Sequence, residues 1–250
     1  MENFQDKYRL VADFHTHTFR SDGKGSVEDN IRAGVRAGLD TLAITDHGPF
    51  HNFRARCTYD KFLITKQEID NLKAKYPIDV LFGIEANLVS LRGDIDITPV
   101  QEKAFDIIVL GTHKTPHGKK FRDFFTWKLR NLFPTNEARI EKVTDAYLNA
   151  MRAHNIKILA HLNYVAKVDV KPIAELAAQK NIWIELNGKR VQFSQDEIDT
   201  ILSSGANFVI NSDAHIPENV GNPTAVWEFM KTHHIPADRI VNIKEIHKGE

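Results

Sequence analysis

Seven short apolar runs alternate with helical patterns along the chain, and this alternation restricts it to a largely parallel sheet with helical crossovers packed against it. The runs cover residues 10–14, 41–45, 79–84, 106–110, 157–160, 182–186 and 207–211. They are apolar almost throughout rather than at every second position, as strands buried on both faces require. Helix signals fill the intervals. Ser26-Val27-Glu28-Asp29 resembles a capping box and opens a stripe of Val27, Ile31 and Val35. Thr135 or Asn136 can cap a helix whose Ile140, Val143, Tyr147 and Met151 share one face. Ser194 and Glu197 form a second box before Ile198, Ile201 and Leu202, with Gly205 as the stop.

Seven such units in 250 residues favour an α/β fold closed into a distorted (β/α)7 TIM-like barrel. An open doubly wound sheet is the alternative, but no Gly-x-Gly-x-x-Gly follows the first run. No linker, internal repeat or low-complexity tract divides the chain, so residues 1–250 are expected to form one domain.

In such a barrel the residues just past each strand gather at one mouth, where active sites lie. Polar side chains recur at that position. His15 and His17 follow the first run, Asp46 and His47 the second, and Glu85 the third. His113 follows the fourth, His161 the fifth, and Asp213 and His215 the seventh. Any one of them reads equally well as a hydrogen-bonded loop residue. Together, converging on one rim, their carboxylates and imidazoles would repel one another unless cations were shared among them.

Composition narrows the cation's ligands. Cys57 is the only cysteine, which excludes an internal disulfide and a thiolate cluster and fits a reducing cytoplasm. Any metal must therefore be held by His, Asp and Glu. The 33 basic and 33 acidic residues cancel, giving no electrostatic reason to expect bulk DNA as a partner. No stretch is apolar enough for a signal peptide or a membrane span.

In order and spacing these residues resemble the PHP (polymerase and histidinol phosphatase) family. His15-Thr16-His17 with Ser21-Asp22-Gly23 is similar to its first motif and Thr45-Asp46-His47 to its second. Glu85, His113 and His161 stand where the family places its middle ligands, and Ser212-Asp213-Ala214-His215 with Val220-Gly221 is similar to the last motif. The likeness runs from about residue 10 to 222. It implies a distorted seven-stranded barrel holding three divalent metal ions. It further implies that His15, His17, Glu85 and Asp213 hold one ion and that Glu85 bridges to a second held by His113 and His161. Asp22, His47 and His215 would hold the third. Some phosphatase members carry His where this chain has Asp22, which leaves the metal at that position open. Glu85, Asp213 and His215 are the ligands the resemblance ties most directly to catalysis, and Asp46 would orient a ligand through a hydrogen bond.

Imidazole and carboxylate donors without thiolate suit Zn, Mn or Fe. Three such ions against three carboxylates leave an excess of positive charge that matches a phosphate dianion. Metal binding lowers the pKa of water toward ~7, so the expected nucleophile at phosphorus is a hydroxide bridging two metals. The preferred reading is a phosphomonoesterase acting on a small metabolite, histidinol phosphate being one candidate. Arg54, Arg56, Lys114, Lys189 and Arg190 lie on the expected rim and could grip substrate phosphate, though each reads as readily as a solvated surface charge. Asn187 is assigned a rim hydrogen bond. His51 and His117 share the rim loops without a metal role; His154, His233, His234 and His247 are expected at the surface.

Residues 119–130 interleave basic and aromatic side chains, which can cradle single-stranded nucleic acid. Phe121, Phe125, Leu129 and Leu132 also fit one core-facing helical stripe, the favoured reading. The resemblance also implies a rival function, a 3′–5′ exonuclease or phosphodiesterase acting on nucleic acid, since PHP family members joined to polymerases edit DNA ends. A second is an amidohydrolase, which also opens with His-x-His, but residues 106–113 lack the lysine that commonly bridges its metals. A non-catalytic module would have lost ligands, and here every expected position is filled. Substrate and oligomeric state are left open.

Overall fold

The computed structural model describes residues 4–51, 58–113 and 136–246 of the chain. Seven parallel strands form one sheet in chain order. They are β2 (Ala12–Asp13), β3 (Thr41–Ile44), β4 (Asp79–Asn87), β5 (Ile107–Gly111), β6 (Ile158–Leu159), β7 (Trp183–Asn187) and β8 (Phe208–Asn211). The result is the nearly closed seven-stranded barrel that the alternation implies. Arg54, Arg56, Lys114, His117, His247 and residues 119–130 lie outside the described residues.

Parallel register brings the strand ends to a common level. Glu85 stands beside Val109, and Asn187 beside Asn211. Because side chains alternate along a strand, Leu81, Glu85 and Asn87 share one face of β4, and Trp183, Glu185 and Asn187 share one face of β7. On that face lies a small apolar cluster of Ala43, Ile107, Val109, Ile158, Ala160 and Val209, below the polar layer. The other face carries the larger core, where Phe82, Ile84, Leu110 and Leu186 meet Ile31, Tyr147, Ile173 and Ile198 from the helices.

The helix ends follow the sequence signals. Ser26 closes a reciprocal capping box with Asp29 on helix Val27–Arg36, and Ser194 does the same with Glu197 on helix Gln195–Ser204. Gly205 ends the latter in the left-handed region, at φ 85°, where a side chain would be strained. Asn136 caps helix Glu137–Ala153, its side-chain oxygen accepting from the Arg139 amide at 3.0 Å, while Thr135 lies outside the described residues.

One expected strand is divided. Residues 10–14 do not run as a single barrel strand: β1 (Tyr8–Leu10) pairs antiparallel with β9 (Ile243–Glu245), and only Ala12 and Asp13 pair with β3. No local pattern signals a partner more than two hundred residues away. Between β2 and β8 the ladder gives way to side chains. Asn242 Oδ1 accepts from the Ile210 amide at 3.0 Å while its Nδ2 donates to the carbonyls of Ala12 and Ile210 at 2.7 and 2.6 Å. Asp13 accepts from the amides of Ser212 at 3.1 Å and Gly221 at 2.9 Å. The His17 amide donates to the Ala214 carbonyl at 2.9 Å, closing the top of the seam directly below the ligand-bearing turns.

Candidate metal centre

Glu85 occupies the centre of the polar layer and is fully buried. Its Oε2 lies 3.2 Å from His15 Nε2, 3.6 Å from His17 Nε2 and 2.6 Å from His47 Nδ1. Its Oε1 lies 3.2 Å from His113 Nε2 and 2.9 Å from His161 Nε2. Asp213 Oδ1 faces His17 Nε2 at 3.3 Å and His15 Nε2 at 3.7 Å. Asp22 Oδ1 stands 3.3 Å from both His47 Nε2 and His215 Nε2. All nine side chains assigned as ligands from the sequence thus converge on one place at the barrel mouth.

Backbone geometry helps to aim them. His161 and Asp213 adopt positive φ, 35° and 52°, a conformation that is uncommon for non-glycine residues. Local strain of this kind persists where surrounding structure enforces it. At Gly111 an added Cβ would overlap Glu85 Oε1 and press on His161 and His113, so the space over the carboxylate depends on glycine.

Outer nitrogens are held from behind. Glu185 Oε1 lies 2.8 Å from His15 Nδ1, and Asn87 Oδ1 lies 2.6 Å from His113 Nδ1. A proton on each Nδ1 leaves the opposite Nε2 with its lone pair facing inward, as a metal ligand requires. Nε2 of His15 and of His17 and Oε2 of Glu85 are buried, with no hydrogen-bond partner among the described residues. Orphaned donor atoms packed this closely cost free energy unless something charged sits among them, so the donor set fits divalent cations.

Electrostatics points the same way. Burial alone would depress the His15 imidazolium, but Glu85, Glu185 and Asp213 outweigh it and hold the ring well above the ordinary histidine value. His47 is likewise pushed up to about 10 against its burial, chiefly by Glu85 and Asp22. Burial dominates at His113, which falls to about 3 despite Glu85. Glu85 itself is held well below the carboxylate range, the surrounding imidazoles outweighing its burial. Protons and metal ions therefore compete for this cluster, and binding a cation would release protons.

Several assignments change. The three ligand sets are not separate: His17 lies with Asp22, His47 and His215 as well as with His15 and Glu85, and His47 bridges toward His113. His51, given no metal role from the sequence, belongs to the cluster. Its ring stacks on His47 at 3.5 Å and 3°, and its Nε2 is 3.7 Å from Asp22 Oδ2. The Asp46 side chain hydrogen-bonds to none of the proposed ligand side chains. It accepts from Thr18 N, Thr18 Oγ1 and Ser21 Oγ at 2.7, 2.6 and 2.6 Å, and so fixes the turn that carries Asp22. Asn187 lines the cavity at the mouth although it is buried, donating to Glu185 at 2.9 Å and Asp213 at 3.2 Å. His154 is partly buried, with Nδ1 2.6 Å from the Glu102 carboxylate.

Glu185 and Asn87 were not singled out in the sequence. Their signal is a polar side chain inside or closing an otherwise apolar run, Asn87 on the same face as Glu85 and Glu185 on the same face as Asn187. Above the cluster opens a cavity of about 360 Å³, lined on one side by Lys189 and Arg190.

The family model of the PHP domain matches residues 13–189, most of the chain and nearly every residue of the cluster. The chain belongs to the PHP domain family. This PHP protein is 28% identical over 244 residues to a protein of Tolumonas auensis named "Probable phosphatase", covering 94% of this chain and 90% of the relative. It is 24% identical over 242 residues to a like-named protein of Proteus mirabilis, covering 92% and 89%. Among solved structures it resembles histidinol phosphate phosphatase of Lactococcus lactis, complexed with zinc, L-histidinol and phosphate. The TM-score is 0.59 at 17% identity, covering 90% of this chain and 95% of that one. At that identity the likeness bears on the fold. No helix among the described residues is long and apolar enough to cross a membrane.

Proposed function

We propose that this PHP protein is a metal-dependent phosphomonoesterase acting on a small phosphorylated metabolite. The observation that carries the reading is Glu85, one buried carboxylate with five imidazole nitrogens within 3.6 Å, three of them from residues that line an open cavity, His47, His113 and His161. Relatives named as phosphatases along nearly the full chain support the same activity.

His15, His17, Glu85 and Asp213 would hold one ion, with Glu85 shared toward His113 and His161. Asp22, His47 and His215 would hold another, His17 and His51 standing close to it. Divalent ions such as Zn, Mn or Fe would supply Lewis acidity to the phosphoryl oxygens and acidify water to near neutrality. The protein's part is to keep these donors fixed before substrate arrives. Glu185 and Asn87 hold the rings of His15 and His113, and Asn187 holds Asp213. Fixed dipoles and charges stabilise the charge that develops at phosphorus without reorganising during the reaction. Lys189, its ammonium 3.1 Å from Asp213 Oδ1, and Arg190 add positive charge at the mouth.

The test is phosphate release from p-nitrophenyl phosphate, its bis-ester and a labelled oligonucleotide, with metal content measured in parallel. The monoester should be the preferred substrate. Glu85→Ala and His161→Ala should lose about a hundredfold or more of the activity while the circular dichroism is kept. Preferred cleavage of the bis-ester or oligonucleotide would make the protein a phosphodiesterase. Unchanged phosphate release in the two variants would remove the cluster from the mechanism.

A further inference from the structure

We infer that the substrate's leaving group carries a second anionic group, a carboxylate or another phosphate, received by Arg190 at the cavity mouth. The inference rests on the phosphomonoesterase reading and adds to it the charge of the part of the substrate that departs.

The first observation is a cation that no described residue engages. Lys189 and Arg190 both line the cavity. The Lys189 ammonium is engaged, 3.1 Å from Asp213 Oδ1 and 2.9 Å from His215 Nδ1. The exposed Arg190 side chain has no hydrogen-bond or ion-pair partner among the described residues. Its backbone is nonetheless fixed. Asn187 Oδ1 accepts from the Lys189 amide at 2.9 Å and the Asn187 carbonyl from the Arg190 amide at 3.1 Å, so the turn after β7 presents the guanidinium at the mouth.

The second observation concerns the carboxylates. Among the described residues the cavity is lined by two, Asp22 and Asp213. Asp22 already faces His47 and His215 at 3.3 Å and His51 at 3.7 Å. Asp213 faces Lys189, His17, His215 and His15 between 3.1 and 3.7 Å. Neither is left to receive a cationic leaving group, whereas a guanidinium offers a planar fork that fits a carboxylate or a phosphate through two hydrogen bonds. Three divalent ions, when bound, would outweigh Asp22, Glu85 and Asp213 by enough charge to balance the dianion being hydrolysed, which would leave Arg190 available to a second anionic group.

Shape agrees with charge. About 360 Å³ is the size of a small-metabolite pocket. Tyr164, half exposed and with its ring 6.0 Å from that of His161, gives the carbon skeleton an apolar wall between the metal cluster and solvent. A leaving group bearing an ammonium, such as histidinol, would meet Lys189 and Arg190 with like charge.

The experiment compares kcat/KM for four phosphomonoesters of similar size. They are 3-phosphoglycerate, propane-1,3-diol bisphosphate, glycerol 3-phosphate and L-histidinol phosphate, whose leaving groups carry a carboxylate, a phosphate, no charge and a positive charge. One screened charge contact is worth about tenfold, so the better anionic substrate should exceed glycerol 3-phosphate by about that factor and histidinol phosphate by more. The order of the two anionic substrates identifies which group Arg190 takes. Arg190→Gln should bring the anionic-to-neutral ratio to about one, and Arg190→Glu should turn it in favour of histidinol phosphate. The side chain is exposed and has no partner among the described residues, so melting temperatures should stay together. If glycerol 3-phosphate is hydrolysed but the wild type shows no anionic preference, or the ratio ignores both substitutions, the inference falls and the phosphatase reading stands. If none of the four, nor p-nitrophenyl phosphate, releases phosphate, both fall.

Discussion

Asp96 shows how one residue outside the cluster can govern it. The side chain is buried and accepts from Asn87 N at 2.8 Å, from Asn87 Nδ2 at 2.5 Å and from Phe50 N at 3.1 Å. Through Asn87 it sets the ring of His113, and through Phe50 it anchors the turn that carries His47 and His51. Burial outweighs these hydrogen bonds and pushes its pKa up to about 6 from 3.8. A raised carboxyl pKa means that the folded state binds the proton more tightly than the unfolded chain between those values. Stability contributed by this group is therefore highest in acid and is lost as pH rises through about 6, by roughly 3 kcal/mol in all. Denaturant midpoints for wild type and Asp96→Asn from pH 4 to 7 should show this slope in the first and not in the second. Equal slopes would place the titration elsewhere. Among the functional residues, the strand-end histidines were legible because each interrupts an apolar run at the position a barrel reserves for chemistry. Asp96 and His51 were not, because each lies in a loop where polar side chains are ordinary and only the folded path brings it to the mouth.

At the scale of elements, the barrel is limited by its seam. Six strand-to-strand contacts are regular ladders, but β2 and β8 are joined through Asn242, Asp13 and single backbone bonds. Asn242→Ala would leave the buried Ile210 amide and two carbonyls without their partner, a loss of about 2–3 kcal/mol in chemical denaturation. The same substitution should weaken metal retention on dialysis, since His15 and His17 follow directly from β2. A variant that loses stability but keeps its metals would separate seam from site. Six of the strands were readable as apolar runs bounded by helix caps, because both signals are local. The division of residues 10–14 was not readable, since it depends on antiparallel pairing with Ile243–Glu245 and on the reach of Asn242. Residue boundaries likewise moved where pairing continued past the apolar run, as at Asn87 on β4.

For the whole molecule, the cluster is a concentration of buried charge that cations would relieve. Exposure to a strong chelator should therefore lower the melting temperature, and returning Zn, Mn or Fe should restore it in proportion to affinity. A ligand at a hundred times its dissociation constant contributes about 2.7 kcal/mol. A melting temperature indifferent to chelator, in protein shown by elemental analysis to have held metal, would mean that the cluster is stable without ions. The overall architecture was the most legible level of all, because seven repeats of strand and helix leave few ways to close.

The stitching of Asn242 to Ala12 and Ile210 also bears on biosynthesis. A nascent polypeptide cannot finish the barrel while its last strand and the asparagine before it are still to be added, although every proposed ligand has by then been synthesised. Stable metallation of the cluster would accordingly be a late event, following synthesis of residue 242, and a ribosome stalled just short of it would carry all nine proposed ligands without a closed barrel to hold them.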